Sequence, residues 1–128
     1  MYPVDRKYSK EHEWARQESD GIVTVGITEY AQEHLGDIVF VAISHVGSNV
    51  NQMDKLGEVE SVKSVSDVFS PISGEILEIN QLVVDNPETV NEDPHERGWL
   101  TKLRPKDLAE LDHLMDADEY QSFLGTVG

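Results

Sequence analysis

Residues 57–63 read Gly-Glu-Val-Glu-Ser-Val-Lys, and residues 74–80 read Gly-Glu-Ile-Leu-Glu-Ile-Asn. Both segments begin with Gly, Glu and an aliphatic residue, and the turn-forming stretch Ser70–Gly74 separates them. A short unit that occurs twice suits a quasi-symmetric sandwich, in which equivalent strands lie in facing sheets. This pair therefore predicts a mainly β fold.

Outward from this pair, the sequence predicts short strands up to Leu103, interrupted by one helix. A β-branched strand over residues 22–27 follows the Asp20-Gly21 turn, and composition predicts a buried strand over Ile38–Ile43. Between them, Thr28 suits a helix N-cap and Gly36 a helix end, so Glu29–Leu35 is expected to be helical. Residues 85–87 and 91–95 are expected to be loops before a last strand over residues 99–103.

The C-terminal part is expected to form two helices. The first would start at Pro105, and its apolar face would hold Leu108, Leu111, Leu114 and Met115. Asp116 and Glu119 fit a capping box for the second, which would end at Gly125 and bury Tyr120, Phe123 and Leu124. The expected single domain of residues 1–128 is thus a β-sandwich over about residues 8–103 with a short internal helix, followed by a helical segment over about residues 105–124.

Composition excludes several classes of function. The 128 residues include 25 acidic and 10 basic side chains, for a formal charge of −15, and no cysteine. Binding to nucleic acid or to an anionic membrane is disfavoured, because both need a cationic surface. Thiol nucleophiles and thiolate metal sites are excluded. No apolar stretch is long enough to span a membrane, and residues 1–10 are polar, so a cytoplasmic protein is expected.

Signals for an enzyme are weak. The five histidines show no metal-ligand spacing, and no phosphate-binding glycine loop or nucleophile elbow is present. If Glu11-His12-Glu13 formed a strand, the two glutamates would share one face and His12 would lie on the other. Surface roles are favoured for all three residues, and a small acidic enzyme that uses Glu11, Glu13 or His95 is kept as an alternative.

Lys63 is the single cation between Lys55 and Arg97. If residues 57–63 form a strand, Lys63 lies near the tip of a hairpin, where other proteins can reach it. Valines at positions 59, 62, 65 and 68 recur at a spacing that also fits a helix. The nearby Ser64 and Ser66, with the β-branched valines, favour the extended hairpin.

Eight motifs in order, between about Tyr8 and Leu124, resemble the glycine cleavage system H protein family of lipoyl carriers. They are residues 12–14 (His-Glu-Trp), 25–32 (Val-Gly-Ile-Thr-Glu-Tyr-Ala-Gln), 35–41 (Leu-Gly-Asp-Ile-Val-Phe-Val), 60–63 (Glu-Ser-Val-Lys), 66–67 (Ser-Asp), 71–75 (Pro-Ile-Ser-Gly-Glu), 90–94 (Val-Asn-Glu-Asp-Pro) and 98–100 (Gly-Trp-Leu). Because they are separate and in the family's order, their combined signal is specific.

The resemblance implies a lipoyl-domain-like β-sandwich (a barrel-sandwich hybrid) and assigns roles to individual residues. Lys63 matches the lysine that receives (R)-lipoate as an amide, and Glu60, Ser61 and Val62 belong to its recognition motif. Glu13 and Asp67 match positions near the cleft that holds the loaded arm. The chain would itself be no enzyme, and it would bind no metal.

The resemblance also implies the partners. A glycine decarboxylase (P protein) would load the aminomethyl group of glycine onto lipoyl-Lys63, an aminomethyltransferase (T protein) would remove it, and dihydrolipoyl dehydrogenase (L protein) would reoxidise the dithiol. Lipoate-attaching enzymes would modify the chain, which is expected to be a monomer. A biotinyl carrier is disfavoured, because methionines flank the lysine of biotin domains, whereas Val62 and Ser64 flank Lys63. A lipoyl relay that donates to 2-oxoacid dehydrogenases is left open, because its lysine motif would look the same.

Overall fold

The computed structural model describes residues 2–127, which form nine strands, four α-helices and one 3₁₀ helix. The strands are β1 (Lys7–Tyr8), β2 (Glu13–Gln17), β3 (Val23–Ile27), β4 (Ile38–Ile43), β5 (Asn49–Val50), β6 (Lys55–Ser61), β7 (Val65–Phe69), β8 (Gly74–Ile79) and β9 (Thr101–Pro105). The helices are α1 (Glu29–Leu35), α2 (Gln81–Asp85), α3 (Glu88–Glu92), the 3₁₀ helix Leu108–His113 and α4 (Ala117–Val127). No helix in this range is both long and apolar enough to span a bilayer.

The strands form two antiparallel sheets. The larger sheet has the order β1-β2-β3-β9-β8-β5, and the smaller has the order β4-β6-β7. β6 and β8, the two Gly-Glu-aliphatic segments, lie in different sheets, which confirms the sandwich predicted from their likeness. The β6–β7 hairpin places Lys63 in the turn, two residues after the end of β6 at Ser61 and two residues before the start of β7 at Val65.

The main core lies between the sheets. The larger sheet contributes Val25, Ile76 and Leu103, and the smaller contributes Val41 and Val59; all five are buried. Fully burying an aliphatic side chain of this size contributes about 1.5–3 kcal/mol, so these residues fix the register of both sheets. The sheet that carries Lys63 is thereby held rigid.

A second buried group, the aromatic cluster, is formed by Tyr8, Trp14, Ala117 and Tyr120 under α4. The rings of Tyr8 and Tyr120 stack with centroids 4.8 Å apart. A Cβ at Gly26 would lie 2.6 Å from the Trp14 ring, so a glycine is required there. This cluster attaches the C-terminal helix to the sandwich.

Two predicted helix boundaries are confirmed in atomic detail. The Thr28 side chain accepts a hydrogen bond from the Ala31 amide at the start of α1, and Gly36 ends that helix with φ at 82°. At the start of α4, the Glu119 amide donates to the Asp116 carboxylate at 2.8 Å, and the Asp116 amide donates to the Glu119 carboxylate at 2.9 Å. Both signals are local, so they could be recognised in the sequence.

Other predictions were wrong at their edges. Pro105 is the last residue of β9 and starts no helix; the next helix follows the Asp107 cap and leaves Leu108 exposed. α4 continues through Gly125. Residues 85 and 91–92, predicted as loop, lie in the short helices α2 and α3.

The strand Ile38–Ile43 was predicted to be buried, but it has two exposed residues in succession. Val39 is 51% exposed and Phe40 is 54% exposed. The pairing of β4 with β6 shifts register between Ile38 and Phe40, which is a β-bulge. A bulge interrupts the alternation of faces, so neighbouring side chains can both point outward.

Candidate functional site

The turn that carries Lys63 is held by hydrogen bonds. The Ser61 hydroxyl accepts from the amides of Lys63 and Ser64, both at 3.2 Å, and the Ser61 amide donates to the Ser64 carbonyl at 2.8 Å. The Val62 amide donates to the Asp37 carbonyl at 3.0 Å, which fixes the turn to the junction between α1 and β4. Lys63 is therefore exposed on a turn with a defined backbone.

The stem of Lys63 passes over Gly36. A Cβ at Gly36 would lie 3.1 Å from Lys63 Cε and 3.8 Å from Nζ, so glycine leaves open the space that another residue would fill. The positive φ of Gly36 independently favours glycine. The two requirements coincide at the residue directly beneath the lysine.

Asn91 holds the segment that contains Gly36. Its amide nitrogen donates to the Gly36 carbonyl at 2.9 Å and to the Gln32 side-chain oxygen at 2.8 Å. Its side-chain oxygen accepts from the Ile38 amide at 2.9 Å. Asn91 was recognised in the sequence only as part of the motif over residues 90–94, and no local pattern indicated that it joins α3 to the end of α1.

A cleft of about 460 Å³ opens beside this junction. Its walls include Glu11 and His12 from the turn before β2, Tyr30 and His34 from α1, and Asp67 and Phe69 from β7. The lining continues to Leu35 and Val65, which lie in the chain next to Gly36 and close to Lys63. The cleft therefore begins close to the turn that carries Lys63.

Three aromatic rings lie close together in the lining of the cleft. The Tyr30 ring is stacked on His34, with centroids 4.0 Å apart, and is tilted relative to His12, with centroids 4.5 Å apart. His34 Nδ1 is 3.0 Å from the Tyr30 carbonyl, to which it donates, and His12 Nδ1 is hydrogen-bonded to the Tyr120 hydroxyl at 2.8 Å. Burial lowers the pKa of His12, so this imidazole is uncharged at neutral pH.

His12 has a left-handed backbone, with φ at 71°, and this conformation reorients the residues around it. The arrangement considered for a strand, with Glu11 and Glu13 on one face, does not occur, because β2 begins only at Glu13. The surface role expected for Glu13 was wrong, because its side chain is buried. Glu11 and His12 line the cleft together, whereas Glu13 is buried behind the wall. A positive φ at a residue other than glycine leaves no reliable sequence signal.

Glu13 is connected to the cleft through the backbone of β7. Its carboxylate accepts from the Ser9 hydroxyl at 2.5 Å and from the Phe69 amide at 3.1 Å. Burial raises the pKa of Glu13 to about 7, although both hydrogen bonds lower it. The holding role expected for Glu13 stays a prediction, and the structure gives this carboxylate a contact to the cleft wall by way of Phe69.

Asp67 is an exposed residue of the cleft wall. Its carboxylate lies 3.3 Å from Lys55 Nζ, which also donates to Glu58 at 2.9 Å. Glu58 and Asp67 face each other across β6 and β7, and Lys55 offsets their repulsion. A solvent-exposed ion pair of this kind is only weakly stabilising, so Asp67 can exchange Lys55 for another cation.

The other residues of the predicted recognition motif lie around the turn. Glu60 and Val62 are exposed, and Ser61 is buried because its hydroxyl organises the turn. His95 lies elsewhere and accepts a hydrogen bond from the Glu29 amide at 3.2 Å; burial lowers its pKa to about 4. Residues 2–127 hold no group of three or more His, Cys, Asp or Glu side chains that could bind a metal ion.

Known proteins similar to this chain match it over nearly its whole length. A sequence model of the family described as glycine cleavage H-protein matches residues 6–127. The chain is 53% identical over 114 residues to a glycine cleavage system H protein of Teredinibacter turnerae, covering 89% of this chain and 88% of the relative. It is 51% identical over 122 residues to the one of Escherichia coli O7:K1, covering 95% of each.

A solved structure agrees as well. The crystal structure of a glycine cleavage system H protein from Mycobacterium marinum superposes with a TM-score of 0.88 at 42% identity. The superposition covers 97% of this chain and 99% of that one. At this identity and coverage, the likeness extends to the whole arrangement of both sheets and the helices around them.

Proposed function

The chain belongs to the glycine cleavage H-protein family, and from this premise we propose that Lys63 carries its lipoyl group. Members of the family are lipoyl-carrying shuttles of the glycine cleavage system and have no catalytic activity of their own, and this chain has the same role. The observation that carries the assignment to Lys63 is its position: an exposed lysine on a fixed turn, with its stem over Gly36 and the cleft beside it.

The residues around Lys63 fit a covalent (R)-lipoate. An amide at Nζ leaves the turn unchanged, since the hydrogen bonds of the turn involve the backbone and Ser61. When bound, lipoate would supply a strained dithiolane whose S–S bond is readily opened. The chain's own residues position the arm and shield its cargo.

Carboxylates in the cleft hold the cargo. The amine of the aminomethyl group is cationic at neutral pH, and Glu11 and Asp67 both line the cleft and present negative charge to it. Uncharged His12 adds no repulsion. Glu13 acts from behind the wall, where its carboxylate fixes the Phe69 amide. Burial in the cleft excludes water and slows loss of the aminomethyl group as formaldehyde.

The same proposal names the partners and setting. The sandwich and its helices act as one monomeric carrier domain that visits the P, T and L proteins in turn, after a lipoate-attaching enzyme has modified Lys63. An acidic surface, with a formal charge of −15, suits enzymes whose arm entrances are basic. The matched relatives are bacterial proteins, and the setting that we propose is the cytoplasm.

The proposal is tested with the reconstituted cycle. Lipoylated wild-type protein, the P, T and L enzymes, glycine, tetrahydrofolate and NAD⁺ should together produce NADH, because the two electrons released on reoxidation of the dithiol reduce NAD⁺. The Lys63→Arg variant should produce no NADH. The Lys55→Arg variant, which changes another lysine of the same hairpin, should retain the activity. NADH production by Lys63→Arg would contradict the assignment. Transfer of lipoyl groups from the wild-type protein to a 2-oxoacid dehydrogenase, without NADH production from glycine, would favour the relay role instead.

A further inference from the structure

Four exposed apolar side chains surround the root of the arm. Val39 and Phe40 of β4 are 51% and 54% exposed, Val62 in the turn is 68% exposed, and Val65 at the start of β7 is 57% exposed. We refer to these four residues as the hairpin patch. Exposed apolar residues that cluster around a modified lysine indicate a surface that another protein covers.

The hairpin patch is contiguous across the smaller sheet. Phe40 pairs with Glu60, and Glu60 pairs with Val65, so the three residues form one row across β4, β6 and β7. Val62 is joined to the same edge by its hydrogen bond to Asp37. The bulge in β4 exposes both Val39 and Phe40, where regular alternation would have turned one of them inward.

The charge within the patch defines the chemistry of the partner. Glu60 lies between Phe40 and Val65, and within residues 2–127 its carboxylate takes part in no hydrogen bond or ion pair. Glu58, two residues away on the same face, is paired with Lys55. The surface that complements this patch is apolar and places a basic side chain opposite Glu60.

We propose that the hairpin patch is the surface on which the arm-loading glycine decarboxylase docks. The inference rests on the proposed function, because an enzyme that takes in the arm must cover the residues at its root. Glycine carries an anionic carboxylate, so the enzyme that binds it and loads the arm requires basic side chains, and basic side chains at its docking surface would also complement Glu60. Phe40 is the central anchor, since aromatic residues dominate such contacts.

The test compares lipoylated variants as substrates of the decarboxylase in the exchange of glycine carboxyl with bicarbonate. The double variant Val39→Thr/Phe40→Ser should raise the KM for the carrier about tenfold and leave kcat unchanged. Val46→Ser is the matched control, because Val46 is 59% exposed but lies beyond the opposite end of β4. It should keep the wild-type KM. Glu60→Gln should reduce the dependence of KM on salt.

The outcomes separate this inference from the carrier function. An unchanged KM for the fully lipoylated double variant would overturn the docking surface and leave the carrier role intact. Failure of the lipoylated wild-type protein to act as a substrate would overturn the proposed function instead. An increase in KM seen only with the aminomethyltransferase or the dehydrogenase, or a wild-type dimer that the double variant dissociates in light scattering, would assign the patch to another occupant and overturn the inference.

Discussion

The hairpin patch and the aromatic cluster lie on the same β-sandwich, but their apolar and charged side chains differ in burial and in pairing. In the cluster, Trp14 is buried under the buried guanidinium of Arg6, which pairs with Asp5 at 2.8 Å and Glu96 at 2.9 Å. In the patch, Phe40 is exposed beside the unpaired carboxylate of Glu60, as judged over residues 2–127.

The difference separates stability from binding. A buried aromatic ring with satisfied neighbours contributes to the free energy of unfolding. An exposed ring can contribute only when a partner covers it. Substitutions in the two regions should therefore give different phenotypes: loss of folding for the cluster, and loss of transfer for the patch.

The largest difference between the two regions in the free energy of unfolding is expected for Trp14 and Phe40. Trp14→Ala should lower the free energy of unfolding by about 3–5 kcal/mol, because it removes a buried ring and its indole hydrogen bonds to the carbonyls of Ile27 and Pro94. Phe40→Ser should change it by less than about 0.5 kcal/mol. Urea denaturation of both variants checks this. Equal losses would mean that the patch is part of the core.

Glu13 provides a second test of the difference between the two regions, because it lies between them. Burial raises its pKa to about 7 from an ordinary 4.5, so between these pH values the folded state binds more protons than the unfolded state. The contribution of Glu13 to the free energy of unfolding should therefore fall as pH rises through this window, by on the order of 3 kcal/mol. His95, whose pKa burial lowers to about 4, contributes a slope of the opposite sign, so the quantity to compare is the difference between wild type and Glu13→Gln, which should show the fall.

Glu11→Gln is the control for that experiment, since it removes an exposed carboxylate two residues away and should keep the wild-type slope. Denaturation at a series of pH values measures all three proteins. Identical pH profiles for wild type and Glu13→Gln would show that Glu13 keeps the same pKa in the folded and unfolded states.

Substitution of Asn91 should cause a smaller loss of stability, confined to the region around Lys63. Asn91→Ala removes the bonds to Gly36, Gln32 and Ile38, and should cost about 1–3 kcal/mol. Amide exchange should become faster at Ile38 and Val62, next to the arm. Protection of the Tyr8 amide, which donates to Met115 beside the aromatic cluster, should stay as in wild type. A uniform increase over the chain would mean that the regions open together.

How far the sequence predicts the structure depends on the range of each signal. The caps of α1 and α4 are set by residues three positions apart, and both were predicted correctly. The helices α2 and α3 have five residues each and are bordered by Asn and Pro, so their composition is that of a loop. They form because the chain packs them against the sandwich.

The same distinction between local and long-range signals applies to the candidate site. Lys63 could be selected as the candidate because its neighbours form a motif, and its place in the turn follows from the hairpin; its modification stays a prediction. The cleft could not, because it depends on the backbone of His12 and on contacts between distant segments such as Asn91 with Gly36. The exposure of Phe40 depends on a β-bulge, and the continuous run of apolar residues in β4 gives no indication of that bulge in the sequence.

The central claim is that Lys63 receives the lipoyl group, and intact mass after co-expression with a lipoate ligase tests it most directly. The account predicts one lipoyl-sized gain in the wild-type protein, none in Lys63→Arg, and the full gain in Lys55→Arg, whose lysine lies in the same hairpin. A wild-type protein without the gain, or a Lys63→Arg variant that still shows it, would contradict the account.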